Sequence, residues 1–120
     1  MPIDILFVDD EHSWREGTKY YIEGTPNINL DFADSYASAL KHIRQKKYDL
    51  IVSDGLEGDC FRIFEDIKNM PHGDFIIFSG STGDNSIESQ AEEQKIPFHD
   101  KSETTHFWDW VIAKYAPSKK

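Results

Sequence analysis

A chain of 120 residues has room for one hydrophobic core, and 38% hydrophobic with 29% charged residues fits an ordinary globular domain. The formal net charge of −9 argues against direct nucleic-acid binding, which needs clustered Lys and Arg, and suits a protein that holds cations or meets basic partners. The single cysteine, Cys60, excludes an internal disulfide or a thiolate cluster and points to a reducing cytoplasm; no secretory signal or membrane-length apolar run is visible.

Taken in order, Ile3-Asp4-Ile5-Leu6-Phe7-Val8 is a nearly continuous apolar run that stops at Asp9-Asp10-Glu11, the pattern of a strand buried on both faces. Ser13 to Glu23 predicts a helix with Trp14, Thr18, Tyr21 and Ile22 inward, and Gly24 as its stop. Ile28-Asn29-Leu30-Asp31-Phe32 alternates like a second strand at an edge. Ser35 is placed to cap a helix to Lys46 whose inner face is Tyr36, Ala39, Leu40 and Ile43.

Leu50-Ile51-Val52 predicts a third strand ending at Ser53-Asp54-Gly55, and Cys60 to Met70 a helix burying Cys60, Ile63, Phe64 and Ile67. Phe75-Ile76-Ile77-Phe78 is a fourth strand closed by Ser79-Gly80-Ser81. Asn85 to Gln94 is a polar helix, and Ile96-Pro97-Phe98 a fifth strand running into His99-Asp100-Lys101. A last helix runs from Thr105 to Tyr115, and Pro117 to Lys120 forms a solvated tail. Strands alternating with helices in this way predict one α/β domain over residues 1–120, a doubly wound parallel sheet with helices on both faces.

Ligands of such sheets sit beyond the carboxyl ends of the strands. Asp9 and Asp10 follow strand one, Asp54 follows strand three, Ser79 ends strand four and Lys101 follows strand five. Three carboxylates brought together repel unless a cation joins them, and oxygen ligands completed by water suit Mg²⁺. The same set can carry phosphoryl transfer, with Asp54 as nucleophile and the metal and Lys101 screening charge. Singly, each residue reads as well as a helix cap, a turn residue or a surface cation; jointly they read as a site.

Leu6-Phe7-Val8-Asp9-Asp10-Glu11, Ile51-Val52-Ser53-Asp54, Ile77-Phe78-Ser79-Gly80 and the downstream Lys101 resemble the response-regulator receiver family, in order and along essentially the whole chain. The resemblance implies a flavodoxin-like sheet of order 2-1-3-4-5. It makes Asp9 and Asp10 the acidic metal pair, Asp54 the phosphoacceptor, Ser79 the switch hydroxyl, Lys101 the conserved-type lysine and Phe98 the aromatic switch. The backbone carbonyl of Leu56 falls where the metal shell is completed. A histidine kinase or histidine phosphotransfer protein would be the donor, and an effector protein, an output domain outside this chain or a second copy would read the changed face of helix four, strand five and helix five.

Two features depart from that pattern. The loop Asp54-Gly55-Leu56-Glu57-Gly58-Asp59-Cys60-Phe61 is about two residues short by alignment, and Lys101 is followed by Ser102 where the family has proline. These departures motivate an alternative, a degenerate receiver acting as a phosphorylation-independent interaction or dimerisation module. A phosphatase of the haloacid dehalogenase type is a further rival, but its first motif needs Asp-x-Asp, and here stands Asp9-Asp10-Glu11.

The five histidines (His12, His42, His72, His99, His106) have no metal-ligand spacing and are expected at the surface, and Cys60 reads as core. Gly80-Ser81-Thr82-Gly83 lacks the Gly-Lys-Ser/Thr of a P-loop. In the last helix Phe107, Val111, Ile112 and Tyr115 share a face with Trp108 at its margin. Trp110 points off it, either as a partner or self-association surface or packed along a neighbouring element.

Overall fold

The computed structural model describes residues 3–80 and 86–115, except the side chains of Ser86 and Thr105. The expected tail from Pro117, the stretch Ser81-Thr82-Gly83 and the expected helix start at Asn85 lie outside the described residues. Within them, five strands alternate with five helices: β1 (Ile3–Val8), α1 (His12–Ile22), β2 (Ile28–Ala33), α2 (Tyr36–Gln45), β3 (Leu50–Ser53), α3 (Asp59–Asp66), β4 (Asp74–Ser79), α4 (Ser86–Glu93), β5 (Phe98–Asp100) and α5 (Thr104–Tyr115). The strands form one sheet of order β2-β1-β3-β4-β5, and every pairing is parallel. This is the flavodoxin-like order, with β1 and β3 side by side at the point where the winding reverses.

The period of two along each strand divides the core between the two faces. Leu6, Val8, Ile51 and Ile77 face one side, where Ala39, Leu40 and Ile43 of α2, Cys60 and Ile63 of α3 and Ala91 of α4 close over them. Ile5, Phe7, Val52, Ile76 and Phe78 face the other, under Ile22 of α1 and Phe107, Trp108 and Val111 of α5. Each fully buried side chain of this size stabilises the fold by roughly 1.5–3 kcal/mol before entropy is counted. Ser35 caps α2 as expected, its side chain accepting from the Ser38 amide at 3.1 Å.

Four local expectations are corrected. β5 begins at Phe98, not Ile96. Lys95 takes a positive φ of 62°, and the Lys95 and Ile96 amides bond back to Glu92 and Ala91 at 3.1 and 2.8 Å. That is the closing motif of a helix, so Ile96 and Pro97 belong to the end of α4. α3 stops at Asp66, because the chain tightens into three-residue turns, Lys68 to Glu65 and Met70 to Ile67, ahead of Pro71. Tyr21 is 36% exposed, its hydroxyl donating across to Asp109 on α5, so the inner face of α1 is Thr18 and Ile22 with Trp14 half-buried. Trp108 is fully buried rather than marginal, packed edge-on to Phe7 at 5.7 Å and Phe78 at 6.2 Å.

Candidate functional site

The sheet delivers its polar residues one step past the ladder. The Asp9 amide bonds to the Ala33 carbonyl at 3.0 Å, and the Asp54 amide to the Val8 carbonyl at 2.7 Å. Both carboxylates therefore leave rigid backbone at adjacent central strands. Asp9 is fully buried, one oxygen accepting from the Glu11 amide at 2.9 Å. Asp54 accepts from the Leu56 amide at 3.0 Å.

Lys101, immediately after β5, joins them. Its ammonium lies 2.6 Å from Asp9 Oδ2 and 2.8 Å from Asp54 Oδ1, with the Lys101 side chain only 10% exposed. It also rests over the ring of Trp14, 4.5 Å from the centroid, a cation–π contact strengthened by its partial desolvation. Arg15 donates to the Asp9 carbonyl at 2.7 Å and fixes the turn into α1. Burial raises the Asp9 carboxyl above its ordinary value, and the charge of Asp54 adds to this against the Lys101 hydrogen bond. Burial alone would pull Lys101 down, but its two carboxylate partners outweigh it and hold the ammonium above its ordinary value.

Asp10 is exposed at the same edge, and Asp9, Asp10 and Asp54 each offer an oxygen within 4.8 Å of the others. Three carboxylates against one ammonium leave two formal negative charges. An all-oxygen donor set with that residue of charge fits a hard divalent cation such as Mg²⁺. The open cleft beside this cluster has a volume of about 620 Å³ and is lined by Asp10, Trp14, Asp54, Leu56, Gly80 and Lys101 among others.

The short loop after Asp54 is a left-handed turn. Leu56, Glu57 and Gly58 have φ of 50°, 54° and 101°. Only glycine adopts this region freely; a side chain there costs about 1–2 kcal/mol. The Gly58 and Cys60 amides both reach the Gly55 carbonyl, at 2.9 and 3.3 Å, and the Asp59 amide reaches the Leu56 carbonyl. The loop thus closes back on itself in fewer residues.

The structure brings Asp9, Asp10, Asp54 and Lys101 together, with Leu56 among the residues of the cleft wall and its carbonyl accepting from the Asp59 amide. Ser79 is nearly buried, not on the cleft wall; a side chain at Gly55 would come within 3.0 Å of its hydroxyl. Phe98 pairs with Ile77 and packs half-buried against the core on the α2–α4 side. Trp110 lies outside the cleft, 38% exposed, its ring 5.1 Å from that of His99. His99 is half-buried, and burial lowers its pKa. Cys60 is fully buried, its thiol pushed up to about 12 chiefly by burial. Trp14 and Arg15 belong to the site and were not expected there; their position one turn beyond Asp9-Asp10 was the available signal.

No protein-family model matches the sequence, and no curated protein matches it. Solved structures do. The chain is similar to the two-component response regulator RcsB in complex with DNA (15% identity, TM-score 0.78, covering 100% of this chain and 63% of that one). It is similar to the isolated receiver domain of RcsB from Salmonella enterica serovar Typhimurium in the apo form (16%, 0.69, 83% and 77%). A response regulator receiver domain protein from Clostridium thermocellum is a third (21%, 0.75, 93% and 92%). The chain therefore spans less than two thirds of the RcsB chain seen with DNA. The fold is a five-stranded parallel α/β sheet of flavodoxin-like order. It is the fold of response-regulator receiver domains.

Proposed function

We propose that residues 1–120 form a single receiver domain that accepts a phosphoryl group on Asp54 from a phosphohistidine, in a histidine kinase or phosphotransfer protein. The observation that carries this reading is the Lys101 ammonium shared between Asp9 and Asp54 at 2.6 and 2.8 Å, with Asp10 at the same edge. In the reaction an Asp54 oxygen forms a bond to phosphorus while the bond from phosphorus to the donor imidazole nitrogen breaks. The electron pair goes to that nitrogen, which takes up a proton. Asp9, Asp10 and Asp54, with the Leu56 carbonyl, would hold Mg²⁺, which when bound would supply positive charge for the phosphoryl oxygens. Lys101 stays charged and turns from Asp54 to the incoming phosphoryl group, and the Ser79 hydroxyl donates to a phosphoryl oxygen.

Phe98 then repacks into the space beside Ser79, altering the face made by α4, β5 and α5. Trp110 contributes to that face, which an effector, an output domain in a longer protein or a second copy reads in the cytoplasm. Among the described residues, no helix is long and apolar enough to cross a membrane. Acetyl phosphate with Mg²⁺ is expected to add one phosphoryl group to the chain and none to Asp54→Asn, read by intact mass. A chain left unmodified by acetyl phosphate and by phosphohistidine donors, and that binds no Mg²⁺, contradicts the reading and favours a phosphorylation-independent interaction module.

A further inference from the structure

Lys101 reaches the acidic site on a flexible four-carbon stem, which gives up rotamer freedom to hold any one geometry. Its backbone is anchored behind it. The Ser102 amide donates to the Asp100 carboxylate at 2.8 Å, and the Thr104 hydroxyl donates to the Lys101 carbonyl at 2.6 Å. These bonds fix the turn that leaves β5, but they do not aim the side chain. Among the described residues the ammonium meets three partners: the carboxylates of Asp9 and Asp54, and the ring of Trp14.

The two carboxylates are partners that the chemistry of the site takes away. A hard divalent cation competes for their oxygens, and Asp54 is no longer a free carboxylate once it carries a phosphoryl group. The ring is the partner that neither event removes. It is also rigidly held. Trp14 stands half-buried in the first turn of α1, its ring edge-on to Phe78 of β4 at 6.1 Å and 89°. The next residue, Arg15, donates to the Asp9 carbonyl at 2.7 Å and ties that turn to the strand end bearing the buried carboxylate. The ammonium lies 4.5 Å from the ring centroid on a side chain only 10% exposed, where attraction between a cation and a ring face is little weakened by water.

We propose that Trp14 is the positioning residue of Lys101: its ring face holds the ammonium at the acidic site, so that the charge passes from the Asp54 carboxylate to an incoming phosphoryl group by a small swing. Preorganised charge of this kind lowers a barrier because nothing has to be reordered during the reaction. The second half of the proposal rests on the phosphorylation reading above; the hold on the ammonium does not. A residue without a ring at position 14 keeps the cleft apolar on that side but leaves Lys101 to its carboxylates alone.

The test compares the whole chain with Trp14→Phe, which keeps a ring face, and with Trp14→Leu and Trp14→Met, which are apolar without one. The first readout needs no phosphorylation. In NMR spectra the ammonium and ε-methylene protons of Lys101, assigned by their loss in Lys101→Met, should lie upfield in the wild type through the ring current of Trp14. They should stay upfield in Trp14→Phe and move toward the position of an exposed lysine such as Lys19 in a folded ringless variant. The second readout is the rate of Asp54 phosphorylation by acetyl phosphate with Mg²⁺, which should fall roughly fivefold in the ringless variants and recover most of the loss in Trp14→Phe. Lys101 resonances that are the same in the wild type and the ringless variants would overturn the proposal, whether or not the chain is phosphorylated. So would a ringless variant phosphorylated as fast as the wild type. An upfield Lys101 in a wild-type chain that acetyl phosphate leaves unmodified supports the hold by Trp14 and overturns the phosphorylation reading instead.

Discussion

Lys101 carries more of the site than any other residue, because its ammonium answers two carboxylates in a place water hardly enters. Removing one member of a buried ion pair costs about 3–5 kcal/mol, since the partners are left charged and unpaired. Lys101→Met is therefore expected to lose about 3 kcal/mol of stability in urea, and millimolar Mg²⁺ should restore part of it by neutralising Asp9 and Asp54. A loss below about 1 kcal/mol would show that the pair is solvated in solution. At this scale the sequence was informative where chemistry is rare. Three acidic residues at two strand ends and a distant lysine have few joint explanations. Trp14 and Arg15 were not legible as site residues, because a helix-face aromatic and a surface arginine are ordinary at those positions. Their roles depend on how α1 leaves β1.

At the scale of elements, the loop from Gly55 to Gly58 shows how a short connection is accommodated. Its length was legible as a departure; its left-handed course was not, because leucine and glutamate disfavour the region they occupy. Glu57→Gly should relieve that strain and stabilise the domain by about 0.5–1 kcal/mol, the strain relief exceeding the added freedom of the unfolded chain. Urea unfolding that shows a loss instead would mean the turn is not left-handed in solution. α5 presents a parallel case. Its periodicity gave the buried face of Phe107 and Val111, yet placed Trp108 at the margin. The ring reaches Phe7 and Phe78 across the sheet, which angle alone does not reveal. Trp110 packs on His99 and remains exposed on one side. Trp110→Ala should weaken self-association or partner binding while leaving the domain folded, as sedimentation and circular dichroism would show; unchanged association removes its role.

For the molecule as a whole, topology was the most legible property. Apolar runs of strand length alternating with amphipathic helices leave few arrangements for a parallel sheet, and the order β2-β1-β3-β4-β5 is one of them. Boundaries were less legible where Pro97 and Pro71 decide between helix end and strand start. Global stability should also carry a signature of His99. Burial lowers its pKa in the fold, while Glu103 pulls the other way. The unfolded chain has its histidine near 6.5 and binds more protons between the two values. Stability from this residue is thus full above about pH 6.5 and falls as pH drops through the unfolded value toward the folded one. The urea midpoint should decline between pH 7.5 and 5.5, and His99→Phe should flatten that decline; an identical decline in both proteins would contradict the assignment.

The central claim is that Asp54, rather than Asp9 or Asp10, becomes the aspartyl phosphate. The direct measurement is to treat the protein with acetyl phosphate and Mg²⁺, reduce it with borohydride, and map the product by tandem mass spectrometry. Reduction of an acyl phosphate converts the modified aspartate to homoserine. The structure predicts that conversion at Asp54, dependent on Mg²⁺, with Asp9 and Asp10 intact. Conversion at Asp9 or Asp10, or none at all, would contradict the account.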